Sequence, residues 1–357
     1  MKNSIIGESV TRTFRGNYIT SFLAYTVPTY VLVTPAFFVS SLRLPTWLSF
    51  LVVSIPFGGR IVGAIAYQRV IALLGSKLTY LASFTSLGFL ALSSALTYNV
   101  ILLILVRFLV GVSFGLATSL AMEQAVRSGN RLIQASTLSG WAVGWIMGAL
   151  AYTSMANFYL ATLSGAVTFP LSLLYRKVEA FEGTTPALKL EMPSFAAVLV
   201  FFLSFEPAFV LQLAPSLLER EGGIVWLVVG YVASIPMYFL IPALSRVFGE
   251  TRALTTSAVI AAVSGATFFL TDSPLALVPF NAFGLGINSV APRVAELYGA
   301  NARNMGIALN AAAVGGVFVP VVSSIDVKVL ASTITLVSMF LLLLLGVRRR
   351  RAVTITY

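Results

Sequence analysis

The chain has 357 residues, of which 58% are hydrophobic and only 10% are charged. Because a soluble domain carries roughly 25% charged residues, this composition excludes a soluble protein and indicates an integral membrane protein. The chain contains neither cysteine nor histidine, which excludes disulfides, thiolate metal sites, catalysis by either side chain and histidine proton relays. The net charge of +11 would suggest nucleic-acid binding in a soluble protein, but here the positions of the charges assign it to membrane topology.

Apolar runs divide the chain into about twelve segments long enough to cross a bilayer, which takes about 20 residues. The predicted spans lie near 17–40, 45–67, 77–97, 99–125, 131–153, 155–175, 193–218, 223–247, 252–271, 274–297, 303–325 and 327–347. One long polar connection, 176–192, separates an N-terminal half, 1–175, from a C-terminal half, 193–357, which ends in a basic cytoplasmic tail. We therefore expect an all-α membrane protein of two six-helix halves.

The basic residues are distributed unequally between the two sides of the membrane. With an even number of spans both termini lie on one side, and that side holds 18 of the 23 Lys and Arg residues. The other side holds only Arg43, Arg220 and Lys328, while Arg60 and Arg107 fall inside spans. Because positive charge favours the cytoplasmic side, we expect both termini in the cytoplasm of a multi-pass protein of the cell membrane.

The two halves share short motifs at an offset of 172 or 173 residues, which indicates an internal repeat. The related positions are 34–37 with 206–209, Gly111 with Gly284, Glu123 with Glu296, Gly144 with Gly316, and Gly148 with Pro320. A six-span repeat is typical of transporters built from parallel halves, which bind substrate near the middle of the membrane between the halves.

The segment 60–77, RIVGAIAYQRVIALLGSK, resembles the loop between helices 2 and 3 of the major facilitator superfamily. In metabolite–proton symporters of that family the loop reads roughly R-P-L-G-A-x-x-x-G-x-x-x-D-R-x-G-R-K, and the chain is also similar to sugar-porter-like members. The matching residues are Arg60, Gly63, Ala64, Gly75 and Lys77, whereas Gln68, Ala72, Leu73 and Ser76 replace a glycine, the Asp and two Arg residues. The charge-relay part of the motif is therefore missing.

The resemblance extends to the inner ends of spans 4 and 10. Arg107, Gly111 and Gly115 are spaced as in the family's helix 4 motif, and two acidic–basic pairs resemble those of the family: Glu123 with Arg131, and Glu296 with Arg303. The resemblance implies a central cavity lined by helices 1, 4, 7 and 10, and a cytoplasmic gate made of Arg60, Gly63, Gly75, Lys77, Glu123, Arg131, Glu296 and Arg303. Surface ion pairs of little energetic value are the alternative for the two charged pairs.

Three ionisable residues are predicted within the membrane, where such residues are functional by default. Glu206, the acid deep in span 7, suits a proton carrier, and a structural carboxylate is the alternative. Arg107 either holds an anionic substrate or balances the charge of Glu206. Arg60 is predicted nearer the cytoplasmic end of span 2, where its side chain can reach the interface, so a structural role is favoured for it.

Further substrate-binding candidates are polar residues on the expected cavity helices. They are Tyr25, Gln212, Asn281, Asn288 and Asn310. Each of them serves equally well as a hydrogen-bond partner of a neighbouring helix. Trp141 and Trp145, four residues apart on span 5, are predicted to be packing residues.

These features predict a secondary active transporter that moves a small, possibly anionic organic solute by alternating access, coupled to proton import through Glu206. The chain has no phosphate-binding loop of the type G-x-x-x-x-G-K-[ST], so an ATP-driven pump is not expected, and neither are an enzyme, a cofactor or a metal. The expected partners are the solute, protons and the lipid bilayer, with no nucleic acid and a monomeric state. Two alternatives remain, an exporter of amphipathic compounds with the same fold and a membrane receptor or scaffold without transport.

Overall fold

The computed structural model describes residues 19, 21–38, 40–155, 157–173, 210, 213–215, 217–218, 223–290, 309–310, 314–317, 319–323, 328, 332–333, 336–337 and 340. Within these residues the protein is helical and contains no strand. Five helices are long and apolar enough to cross a membrane: Ser21–Phe38, Thr46–Leu96, Val100–Arg127, Ile224–Phe248 and Arg252–Thr271. The protein is therefore a helical membrane protein, as its composition predicts.

All six spans predicted for the N-terminal half are helical. The helices are α1, Ser21–Phe38; α2, Thr46–Leu96; α3, Val100–Arg127; α4, Arg131–Ser154; and α5, Phe158–Ser172. The last turns of α1, Thr34–Phe38, form a 3₁₀ helix. Asparagine side chains cap the first turns of α3, α4 and α5, because the Oδ1 atoms of Asn99, Asn130 and Asn157 accept backbone N–H groups at 2.7 to 3.1 Å.

The C-terminal half is described in part. Its helices are α6, Ile224–Phe248; α7, Glu250–Thr271; α8, Pro274–Val290; and two short segments of span 11, α9, Val314–Val317, and α10, Val319–Ser323. Helices α6, α7 and α8 fall on predicted spans 8, 9 and 10. Spans 7 and 12, most of span 11 and the connection 176–192 lie largely outside the described residues, so the total of twelve helices stays a prediction.

Spans 2 and 3 are joined more closely than the sequence predicts. Span 2 was expected to end near residue 67, but the helix continues to residue 74 and breaks at Gly75 alone, which has a φ of 71° and a ψ of 172°. A positive φ of this kind is accessible to glycine without a steric penalty. A single residue therefore replaces the predicted loop, and α2 consists of two arms, 46–74 and 76–96.

The first arm of α2 packs directly against α3 through glycines on both helices. A Cβ atom on Gly59 would lie 2.0 Å from the carbonyl oxygen of Phe108, and one on Gly111 would lie 1.8 Å from that of Pro56. Gly63 and Gly115 make equivalent approaches to the backbone of the partner helix. Small residues permit such close backbone contact between membrane helices.

The C-terminal half contains a similar glycine-mediated pair, α6 with α8. A Cβ atom on Gly230 of α6 would lie 2.6 Å from Nδ2 of Asn281, and one on Gly286 of α8 would lie 2.8 Å from Met237 Cβ. The expected repeat relates span 2 to span 8 and span 4 to span 10. In both halves, therefore, the second and fourth spans pack against each other through glycine residues.

The described parts of the two halves contact each other through several helix pairs. Helix α2 packs against α9 and α10, with Gly58 close to Val317, and α4 packs against α6 and the last turn of α8. At one end of the bundle Asp272, which follows α7, forms a salt bridge with Lys328, a helical residue at the start of predicted span 12. Both residues are predicted to lie on the extracellular side, which is consistent with their contact.

Candidate functional site

Arg107 is fully buried and its guanidinium contacts the backbone of α1. Nη2 donates to the carbonyl oxygen of Leu32 at 2.6 Å and Nη1 donates to that of Val31 at 3.2 Å. The reason lies in Pro35, which has no N–H group. That missing donor would serve the Val31 carbonyl in an α-helix and the Leu32 carbonyl in a 3₁₀ helix. Pro35 therefore leaves one of these two carbonyls without its helical donor, and Arg107 donates to both of them.

Arg60 lies near the middle of the 46–74 arm and connects it to span 11. Its Nε donates to Oδ1 of Asn310 at 2.6 Å, and its Nη2 donates to the carbonyl oxygen of Leu309 at 3.2 Å. Only 5% of Arg60 is exposed, so the expected reach to the interface is wrong. The helix continues beyond the predicted end of span 2, and the side chain points into the protein.

The side-chain amide of Asn310 forms hydrogen bonds with two helices, α2 and α3. Besides the bond from Arg60, Oδ1 accepts from Thr118 at 3.1 Å, and Nδ2 donates to the Ser119 hydroxyl at 3.0 Å. Asn310 is 1% exposed. A buried polar group is tolerated when its hydrogen bonds are made, and these bonds join span 11 of the C-terminal half to α2 and α3 of the N-terminal half.

Aromatic rings surround the Arg60 guanidinium. Its carbon Cζ lies 4.9 Å from the ring centroid of Phe114 and 5.1 Å from that of Trp141, distances at which a cation is attracted to an aromatic face. The side chain of Tyr25 from α1 interacts with the same guanidinium. We call Arg60, Asn310, Phe114, Trp141 and Tyr25 the Arg60 cluster.

The Arg60 cluster continues into an aromatic contact between the halves. Trp141 packs edge-on against Trp145, with centroids 6.2 Å apart, and Trp145 stacks on Tyr231 of α6 at 5.4 Å and 14°. The Trp145 Nε1 and Tyr231 hydroxyl groups are buried without hydrogen-bond partners. The interface between α4 and α6 therefore holds two polar groups that are available to a ligand or water.

The other two asparagines lie away from the Arg60 cluster. Asn281 faces α6, where its Nδ2 donates to the Leu227 carbonyl at 3.5 Å while Oδ1 has no partner. Asn288 donates to the Gly284 carbonyl of its own helix at 3.4 Å. The structure thus brings Tyr25 and Asn310 together at Arg60, whereas the hydrogen bonds described for Asn281 and Asn288 go to backbone carbonyls of α6 and α8.

Glu123 is paired differently from the prediction. Its carboxylate lies 2.7 Å from Nη2 of Arg127 and accepts the Tyr67 hydroxyl at 2.8 Å. Arg131, the expected partner, is exposed at the start of α4. Glu123 pairs with Arg127 because residues four apart lie on one face of a helix. Arg131 comes after the turn that ends α3.

The remaining gate candidates are structural or exposed. Gly63 lies in the α2–α3 contact, where a Cβ atom would be 2.1 Å from the Val112 carbonyl oxygen, and Gly75 forms the reversal of α2. Lys77 is exposed. Glu206, Gln212, Glu296 and Arg303 lie outside the described residues, and their predicted roles stay predictions.

Sequence reasoning missed the surroundings of Arg60. Trp141 was expected to be a plain packing residue, and Phe114, Thr118 and Ser119 were not considered. The sequence indicates Thr118 and Ser119 only by their position, because they follow the glycines of span 4 at helical spacing. Among the described residues there is no group of three acidic residues that could hold a metal ion.

Comparison with known protein families and with curated proteins finds no match for this chain.

Proposed function

We propose that this protein is a secondary active transporter of the cell membrane that moves a small organic anion by alternating access. The observation that carries the proposal is the Arg60–Asn310 contact, which joins the two halves inside the membrane. Intramembrane cations mark substrate pathways more often than they stabilise a fold. A site shared by two halves is also where repeat-built transporters bind their substrates.

The polar groups of this region favour a transport site that has a second arrangement over a purely structural contact. The Arg60 cluster provides one cation and several hydrogen-bonding groups, and the nearby Trp145–Tyr231 stack adds two unpartnered polar groups. Unpartnered buried polar groups destabilise a fold, so their presence at a contact between halves favours a second arrangement in which they are hydrated or bound to solute. We further propose proton coupling through Glu206 and membership of the major facilitator superfamily.

Uptake into liposomes tests this proposal. The purified protein, reconstituted in liposomes, should accumulate at least one radiolabelled organic anion from a panel under an inward proton gradient, and Arg60→Gln should abolish accumulation. Arg252→Gln, which removes an exposed arginine elsewhere, is the matched control. Efflux-only activity would identify an exporter, and binding without counterflow would identify a receptor.

Cysteine labelling tests the proposed topology, because the native chain contains no cysteine. Ser273→Cys, beside the Asp272–Lys328 salt bridge, should react with an impermeant maleimide only from outside the cell. Lys77→Cys, at the exposed reversal between the arms of α2, should react only from the cytoplasm. Labelling of both positions from the same side would rule out the proposed arrangement of spans.

A further inference from the structure

The Arg60 guanidinium presents one particular edge to span 11. Nε–H and one N–H of Nη2 point in the same direction, and this edge grips the two oxygens of a carboxylate side-on. In the structure the edge holds two neutral oxygens instead, Oδ1 of Asn310 at 2.6 Å and the carbonyl oxygen of Leu309 at 3.2 Å. Span 11 thus occupies the carboxylate-binding edge of Arg60.

No acidic side chain neutralises this cation in the described part of the chain, where the salt bridges involve other residues. A buried charge without a counter-charge is unfavourable. The neutral oxygens of span 11 offer Arg60 only dipoles, whereas a carboxylate adds the attraction between two opposite full charges. A carboxylate that reached Arg60 would therefore compete effectively with the two neutral oxygens of span 11.

The remaining faces of the guanidinium define the rest of the ligand. Phe114 and Trp141 lie within about 5 Å of Cζ, and both are apolar rings that would pack against an apolar body. The cluster contains a single positive charge, which matches a ligand that carries a single negative charge. The ligand chemistry that fits is a monocarboxylate with an aromatic or other apolar body.

We infer that such a monocarboxylate displaces Asn310 and Leu309 from the Nε–Nη2 edge of Arg60 and thereby breaks the hydrogen bonds that connect Arg60 to span 11. This inference rests on the proposed function, whose substrate class it specifies. Binding of the anion removes one of the connections between the halves, while the contacts of Asn310 with α3 and the packing of α4 against α6 remain. Substrate binding therefore weakens the contact between the halves.

Binding measurements on the purified full chain test the inference, with acetate, butyrate, benzoate and phenylacetate as probes. Benzoate and phenylacetate should raise the melting temperature and change tryptophan fluorescence, because Trp141 contacts Arg60. Benzyl alcohol and benzylamine, which lack the carboxylate, should do neither. Arg60→Lys keeps the charge but loses the paired N–H edge, and should weaken the Kd by about tenfold or more.

Two substitutions of Asn310 have opposite expected effects. Asn310→Ala removes one competing oxygen and should tighten the Kd for benzoate by about threefold or more. Asn310→Asp, which is nearly isosteric, places a built-in carboxylate on the same edge; it should abolish the benzoate response and raise the melting temperature of the free protein. Arg252→Gln should bind as the native chain does.

Three results would overturn the inference: no Arg60-dependent response to any of the four carboxylates, an undiminished response in Asn310→Asp, or weaker binding in Asn310→Ala. The inference and the proposed function fail separately. Arg60-dependent binding without uptake would remove the transport proposal alone. Uptake of a neutral or cationic solute that is unaffected by Arg60→Gln would remove this inference alone.

Discussion

Arg107→Ala is expected to lower the free energy of unfolding by about 2–6 kcal/mol, because each buried carbonyl left without a partner costs about 1–3 kcal/mol. The two carbonyls are those of Val31 and Leu32, which Arg107 contacts. Arg107→Lys should recover part of the loss, since one ammonium group cannot reach both oxygens with the planar geometry of a guanidinium. The measurement is the unfolding free energy or, as a proxy, the melting temperature in detergent.

A second substitution identifies the cause of that loss. Pro35→Ala restores one backbone N–H, which can donate to one of the two carbonyls, so it should recover part of the stability in the Arg107→Ala background while doing little by itself. Arg252→Ala, which removes an exposed arginine, is the matched control. If Glu206→Gln rescues Arg107→Ala and Pro35→Ala does not, Arg107 is a counter-ion of Glu206 and the backbone explanation is wrong.

Gly111→Ala should destabilise the protein by about 3 kcal/mol, at the upper end of the range for overpacked sites. The new Cβ atom would lie 1.8 Å from the carbonyl oxygen of Pro56, and a backbone atom cannot move aside as a side chain can. The first arm of α2 and α3 would have to separate, and Arg60 would move with its helix. The expected result is a lower melting temperature together with weaker ligand binding.

Gly58→Ala provides the control on the same helix. Among the described residues its Cβ atom would meet only Val317 Cγ2, at 3.9 Å, which is an ordinary van der Waals contact. Alanine also has a higher helix propensity than glycine, so this variant should be neutral or slightly more stable. Equal destabilisation by Gly58→Ala and Gly111→Ala would contradict the backbone-contact explanation.

Much of the helical arrangement could be predicted because apolar length and its interruptions are local properties of the sequence. Span 5 was expected at 131–153 and is Arg131–Ser154; span 8 was expected at 223–247 and is Ile224–Phe248. The reversal at Gly75 was not predicted. The residues between the predicted end of span 2 and Gly75 are apolar apart from Gln68 and Arg69, and they resemble a loop only by their likeness to a family motif.

The candidate site was harder to predict because it depends on contacts between distant parts of the chain. Arg60 and Asn310 were both singled out, but they are 250 residues apart and nothing local indicates that they are partners. The position of Arg60 depended on where span 2 ends, and that end was placed too early. For Arg107 the sequence did contain a clue, since Pro35 must leave a carbonyl group of α1 without a donor.

The one-residue reversal at Gly75 has a mechanical consequence for the N-terminal half. Adjacent Cα atoms are 3.8 Å apart, so the facing ends of the two arms must stay close together. A displacement of the first arm therefore also moves the second arm. The second arm is in turn wedged against α5, where Gly88 touches Phe169 and Gly165 touches Ala91. A displacement of the first arm at span 11 would therefore be passed to the second arm and, through these contacts, to α5.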